Sequence, residues 1–337
     1  MAAPVREMIL AGDIGGTKSN LALYCIQGEE LQSVFQQSFP SQDYPGLESL
    51  VQEFISGKGA TITKACFGIA GPVVDGKVKT PNLPWVIDAR EIARCLNLDS
   101  VSLINDLEAA AYGILQLNAS EFATLNPGLS QEQANRAVIA AGTGLGEAIL
   151  YWDGSGYRPF ASEGGHADFG PRTPLEVELL RHLMTRFDHV SYERVISGPG
   201  LFNIYNFLKE SDRFAEPTWL KERLTSEDPG AVISEVALAE QVEICVKALD
   251  LFSSSYGAEA GNLALKAKAV GGIYVGGGIA PKILTKLSDG TFMRAFVDKG
   301  RFRDFLSAIP VKVVLNEQAA LKGAGHYGAF RSESTRK

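Results

Sequence analysis

Leu10-Ala-Gly12-Asp13-Ile14-Gly15-Gly16-Thr17-Lys-Ser-Asn-Leu-Ala-Leu-Tyr24 places two apolar runs of strand character on either side of a turn with an acid, paired glycines and a threonine. Glycine lets the backbone bend tightly and lets a ligand come close, because no Cβ stands in the way. Successive N–H groups in such a turn form a concave anion site suited to phosphate. Asp13 beside it can hold a metal ion through water. Taken alone, the turn also reads as an ordinary ligand-free hairpin.

The pattern recurs. Val138-Ile-Ala-Ala-Gly142-Thr143-Gly144-Leu145-Gly146-Glu-Ala-Ile-Leu-Tyr151 again runs strand, Gly/Thr turn, strand. A third glycine cluster follows a short apolar run in Gly272-Ile-Tyr-Val-Gly276-Gly277-Gly278-Ile279. One phosphate-type turn in each half implies a duplicated architecture that clamps one nucleotide. None of the clusters has the G-x-G-x-x-G spacing of a dinucleotide fold, and no G-x-x-x-x-G-K-[ST] motif is present. That argues against a nicotinamide-binding protein and against a P-loop ATPase.

The chain has 337 residues, 45% of them hydrophobic and 21% charged, which fits a soluble protein of about two domains with a sizeable core. Its net charge of −7 comes without a basic stripe, so no nucleic-acid partner is expected. Cys25, Cys66, Cys95 and Cys245 are widely spaced and contain no C-x-x-C pair. They read as buried thiols of a reducing compartment rather than a disulfide or zinc framework. No apolar run reaches bilayer length and no signal-peptide core is visible, so a cytoplasmic protein without membrane contact is expected.

Strands and helices alternate along the chain, the signature of an α/β layer structure with a partly parallel sheet. A helix opens after Tyr44-Pro-Gly46, and Lys64–Ala70 reads as a strand stopped by Gly71-Pro72. Asp88 caps a helix to Leu96, and Val101–Ile104 is a strand ended by Asn105-Asp106 at a helix entrance. Thr173-Pro174 opens a helix that places Leu179, Leu183 and Phe187 on one face. Ser197-Gly-Pro-Gly200 reads as a turn, Ser234–Phe252 as one long amphipathic helix, Ile309–Leu315 as a strand and Gln318–Phe330 as a closing helix.

Several polar constellations can carry chemistry. Asp106 at a strand's carboxyl end can accept a proton from a hydroxyl and orient its oxygen; the competing reading is a helix cap. Glu163-Gly-Gly-His166-Ala-Asp168 suits a tight loop whose carboxylate and imidazole meet neighbouring sugar hydroxyls. A zinc site lacks ligands there, and a Ser162/His166/Asp168 hydrolase lacks the G-x-S-x-G elbow. Glu193 is a further hydroxyl acceptor, or else an exposed ion pair with Arg194. Asn82, between Pro81 and Pro84, is a loop residue on its own merits. His182, His189 and His326 show no partner spacing.

Read together, these motifs resemble bacterial glucokinases of the non-zinc branch, within the actin-like and sugar-kinase superfamily. The resemblance spans nearly the whole chain in matching order: Gly12–Thr17, Asn105-Asp106, Gly142–Gly146, Glu163–Phe169, Glu193–Gly200, Gly261–Leu265 and Gly276–Ile279. It implies an α/β, two-domain actin-like (ribonuclease H-like) ATPase fold with the active site in the interdomain cleft. The expected division is residues 1–107 plus 319–337 as a small domain and 108–318 as a large one. It implies ATP with Mg²⁺ as phosphoryl donor and transfer to the 6-hydroxyl of glucose, with Asp106 as general base. Asn105, Asp106, Glu163, His166 and Glu193, joined by Asn82, would line the sugar site. Gly12, Asp13, Ile14, Gly15, Gly16, Thr17, Gly142, Thr143 and Gly144 would hold phosphates, and Gly277 and Gly278 would approach the adenosine. Asp13 would hold Mg²⁺ through water, and no zinc is expected. Relatives of this kind are often homodimers. One departure is visible: Lys18 stands where such relatives often carry asparagine. A kinase for another hexose (mannose, fructose or an amino sugar), a non-catalytic sugar sensor and an actin-like ATPase are the alternatives. Only about a dozen residues precede Asp13, too few for a helix-turn-helix.

Overall fold

A computed structural model describes residues 7–28, 30–80, 83–129, 131–211 and 213–331. β1 (Glu7–Ile14) and β2 (Lys18–Gln27) form the expected antiparallel hairpin, with Ile14 opposite Ser19. Period-two alternation along β1 feeds two cores: Ile9 and Ala11 belong to one, Leu10 and Ile14 to the other. β3 (Glu30–Pro40) extends the hairpin, and after α1 (Leu47–Ile55) strand β4 (Thr61–Ile69) lies parallel to β1. The ribbon of β5 (Lys77–Lys79) and β6 (Val86–Asp88) leads into α2 (Ala89–Leu96), capped by Asp88, which accepts from Arg90 N at 2.9 Å. β7 (Ser102–Asn105) then adds parallel to β4, and α3 (Asp106–Ile114) starts from its end. The sheet order is β3-β2-β1-β4-β7.

The second unit holds β8 (Phe122–Asn126), β9 (Arg136–Ala141), β10 (Leu145–Trp152) and β11 (Tyr157–Ser162). Helices α4 (Pro174–Met184), α5 (Gly198–Glu210), α6 (Thr218–Ser226), α7 (Pro229–Leu238) and α8 (Glu243–Ala267) follow. β12 (Gly272–Gly276), α9 (Leu284–Ser288), α10 (Thr291–Val297), α11 (Arg303–Ser307) and β13 (Val311–Val314) complete it. The sheet order is β11-β10-β9-β12-β13-β8. Its first five strands repeat the connectivity of the first sheet, an antiparallel meander continued by parallel strands. Each glycine turn therefore joins the same pair of strands in its own sheet.

The chain returns to the first unit through α12 (Ala319–Phe330). This helix buries Leu321 and Ala324 with Ala109 and Tyr112 of α3, and the Tyr112 and Tyr327 rings meet edge to face at 5.2 Å. The units accordingly divide at Asn118/Ala119 and Leu315/Asn316. The breaks expected at 107/108 and 318/319 are corrected: α3 is held to its own sheet by α12.

Two helix readings also change. Ser234–Phe252 is not one helix, because α7 stops at Leu238 and Glu240 takes a left-handed φ of 53° before α8 begins. Ser197-Gly-Pro-Gly200 is the start of α5, with Ser197 as cap accepting from Gly200 N at 2.9 Å.

Candidate active site

In the first unit, Gly15 N donates to Lys18 O (3.1 Å) and closes the β1–β2 turn. Ser41 braces it: its amide donates to Thr17 O (3.0 Å), and its hydroxyl donates to Gly15 O (2.7 Å) beside the Ser19 hydroxyl (2.8 Å). The Gly16 and Thr17 amides have no partner among the described residues and are adjacent donors for an anion. Gly12 and Ile14, read as phosphate contacts, are buried in β1 instead. A Cβ on Gly12 would collide with the Phe67 ring and come 2.9 Å from Leu21 Cδ2, so packing explains this glycine.

Asp13 is the next-to-last residue of the same strand. Burial pushes its pKa up to about 6, and the Asp106 charge pushes the same way; the Asn20 amide (3.3 Å) and Lys18 act against them. Asp106 is the first residue of α3. The cap position belongs to Asn105, whose Oδ1 accepts from Leu107 N (2.8 Å) and whose Nδ2 donates to Gly71 O (3.2 Å). Asp106 Oδ1 shares the Leu107 amide at 2.9 Å. Glu108 closes a capping box on the Asn105 amide, and burial pushes its carboxyl up to about 7. A Cβ on Gly68 of β4 would approach Ala109 Cβ to 2.7 Å, so a bare backbone there lets this helix start close on the strand beside Asp13.

In the second unit, Gly142 N donates to Gly144 O (2.8 Å), and Gly198 N at the start of α5 donates to Gly142 O (2.9 Å). Thr143 and Gly144 keep amides without a partner among the described residues. Leu145 N does not: it donates to Glu193 Oε2 at 2.9 Å. Glu193 is thus anchored on the turn, while the Arg194 guanidinium lies 4.3 Å over the Phe187 ring, so the two form no ion pair. The loop of Glu163 and His166 lies on β10. A Cβ at Gly165 would collide with Leu145 O, and one at Gly164 with the Glu147 carboxylate. The Glu163 and His166 side chains stand 4.0 Å apart and are 72% and 59% exposed. Leu145 therefore gathers Glu163, His166 and Glu193 around one point. Asp168 pairs with His189 at 2.8 Å rather than with His166, and His182 lies 3.6 Å from Glu210, so both histidines have partners after all. Gly277, at φ 82°, presses on Ala141, and Ile279 N donates to Ala141 O (3.3 Å). The third glycine cluster thereby sits beside the second turn. Asn82 lies outside the described residues.

The sequence reading missed three supports. Ser41 braces the first turn, the buried Tyr256 hydroxyl ties Ala141 N, Ile139 O and Gly276 O together (each 3.2 Å), and Glu147 lies beneath the Glu163 loop. Of the three, only Glu147, a charge inside the apolar run Leu145–Leu150, carried a local signal.

Two repeated sheets, each with an anion-receptive glycine turn at the same position, define the two-domain actin-like ATPase fold of sugar kinases. The sequence profile of the glucokinase family matches residues 10–330, and the chain belongs to that family. A glucokinase from Nostoc sp. is 45% identical over 333 residues, covering 94% of this chain and 97% of its own. The crystal structure of a glucokinase from an Antarctic psychrotroph has a TM-score of 0.82 at 30% identity, covering 96% of this chain and 99% of that one. A Balamuthia mandrillaris glucokinase solved with glucose shares the fold at TM-score 0.82 and 22% identity, covering 98% of this chain and 95% of that one.

Proposed function

We propose that this chain transfers the terminal phosphoryl group of ATP to the 6-hydroxyl of D-glucose, with Asp106 as general base. One observation carries the reading. Asp13 and Asp106 stand where β1 ends and α3 begins, close enough for one charge to disfavour the other, beside open turn amides. Phosphoryl transfer has a loose transition state, so positioning and charge stabilisation do most of the work. Asp106 orients the acceptor oxygen and takes its proton. The amides of Gly16, Thr17, Thr143 and Gly144 receive phosphate oxygens, and Gly277-Gly278 approaches the adenosine.

Mg²⁺ fits Asp13, a partly buried carboxylate whose pKa is pushed up to about 6 by desolvation and by the Asp106 charge. No cluster of three or more metal-ligating side chains occurs among the described residues, and Mg²⁺ commonly takes one or two carboxylates plus water and phosphate. Bound there with ATP, it would neutralise phosphate charge. Glu163 and His166, together with Asn105 and Asn82, hold the sugar hydroxyls, and Glu193 contributes the carboxylate oxygen that Leu145 does not use. A hydroxyl missing from the substrate leaves a partner unpaired at about 1–3 kcal/mol, which is how such a site selects. The four free thiols, three of them buried, fit a reducing cytoplasm, and a homodimer is the expected assembly.

ADP release across a hexose panel tests this. Glucose-dependent ADP formation is expected. Release without sugar would mark an ATPase, sugar binding without turnover a sensor, and preference for mannose, fructose or an amino sugar another hexose kinase.

A further inference from the structure

Beneath the Glu163–His166 loop lies a pair of acids that the reaction as described does not use. Glu147 of β10 is 2% exposed and Glu259 of α8 is 0% exposed, and the two side chains hydrogen-bond. Glu259 already accepts from Asn262 Nδ2 (2.7 Å) and Lys266 Nζ (3.2 Å). Two carboxylates are both acceptors, so contact between them requires a proton. Burial, with the neighbouring Glu259 charge, keeps that proton on Glu147. Glu147 Oε1 is buried with no partner among the described residues, and Oε2 lies against Gly164.

The pair is wired to both sugar-facing segments. Ser162 Oγ reaches Glu147 O (3.5 Å) and accepts from Gly164 N (3.3 Å), which ties β10 to the loop. Asn262 donates to Tyr192 OH (3.0 Å), and Tyr192 N donates to Ala167 O (3.0 Å) one residue before Glu193. Lys299 donates to Asn262 Oδ1 (2.6 Å).

We propose that Glu147, through the proton it shares with Glu259, is the positioning residue that sets glucose affinity by holding the Glu163–His166 loop and the Tyr192–Glu193 turn. The inference rests on the sugar reading above. Deprotonation puts two like charges in contact under the loop and loosens it. Burial, then Glu259, pushes the Glu147 carboxyl up to about 8, so the change falls in a measurable range. The other charged or titratable groups facing the pair are Lys266, Tyr256 and Tyr192, with Lys299 and Arg172 beyond Asn262.

Glucose KM and ATP KM of the full-length wild type, E147Q and E147V are measured between about pH 6.5 and about 9.5. Wild-type glucose KM rises about tenfold above pH ~8 without a matching rise in ATP KM. E147Q keeps a neutral hydrogen-bonding head, and its glucose KM stays flat. E147V has a glucose KM raised about tenfold already at neutral pH, with kcat changed by less than about threefold. A glucose KM of E147Q that climbs in parallel with the wild type overturns the proposal, and this holds even if E147V fails to fold. An unchanged glucose KM in E163A overturns instead the sugar reading beneath it. A raised KM in E163A with a flat wild-type profile leaves that reading standing and removes Glu147.

Discussion

The two glycine turns are topological equivalents set among different neighbours. Each is closed by a backbone hydrogen bond, Gly15 N to Lys18 O and Gly142 N to Gly144 O, and each leaves two adjacent amides without a partner among the described residues. The first is flanked by Asp13, an acid that accepts from Asn20 and feels the Asp106 charge. The second has lent its next amide, Leu145 N, to Glu193. Under the proposed function, one scaffold would serve different tasks: acids for cation and proton chemistry in one unit, acids tethered for hydroxyl recognition in the other. If so, changes to these acids in the first unit act on kcat, and changes to those in the second act on glucose KM.

The largest effect expected is that of Asp106→Ala. Loss of a general base costs about 10²–10⁴-fold in turnover. Coupled ADP release at saturating glucose should show it, with ATP affinity retained. Near-normal turnover would remove Asp106 as the base and with it the contrast between the units. Next comes Glu163→Ala, where one lost hydroxyl partner at about 1–3 kcal/mol raises glucose KM by about 5- to 150-fold. A fall in kcat with KM unchanged would show that the second unit also carries chemistry.

Stability should separate from catalysis through pH. Asp13, Glu108 and Glu147 have folded pKa values raised to about 6, 7 and 8 from ordinary values near 4, chiefly by burial. Raised acids contribute stability that is complete below the unfolded pKa and disappears as pH rises through the folded one. His182 and His326, lowered by burial, act with the opposite sign but only below about 6.5. Thermal melts of the ligand-free protein should therefore show Tm falling between about pH 6.5 and about 8, and falling less steeply in E147Q. A Tm that rises over that window would contradict the buried, uncompensated acids in both units.

Much of this contrast was legible in the residues. Gly15–Thr17 and Gly142–Gly144 announced turns because glycine between apolar strand runs has few other uses, and Asn105-Asp106 announced a strand end followed by a helix start. Three things were hidden, each for a physical reason. The split between α7 and α8 depends on Glu240 adopting a left-handed backbone, which glutamate does not advertise. Most of α8 is buried, so its Ser253-Ser-Ser run shows no amphipathic period to follow. The proximity of Glu163, His166 and Glu193 arises because the glycine loop and the Tyr192 turn both dock on Leu145, a long-range contact with no local spacing.

The smallest predicted effect concerns Lys18, which follows the threonine of the first turn. It opens β2, its carbonyl closes the first turn, and its charge opposes the rise in the Asp13 pKa. The second turn has no cation in the corresponding strand-opening position, since Leu145 stands there. Lys18→Asn should leave the backbone turn intact, because the closing bond uses only main-chain atoms. It should move the acid limb of kcat/KM for MgATP upward by a fraction of a pH unit, as Asp13 loses a favourable charge while still facing Asp106. Added salt should shrink the wild-type-to-variant difference, because Lys18 is exposed and its field is screened. A limb that moves downward would mean that Lys18 acts on bound phosphate rather than on Asp13, and the two turns would then differ in how they hold the anion as well as in their acids.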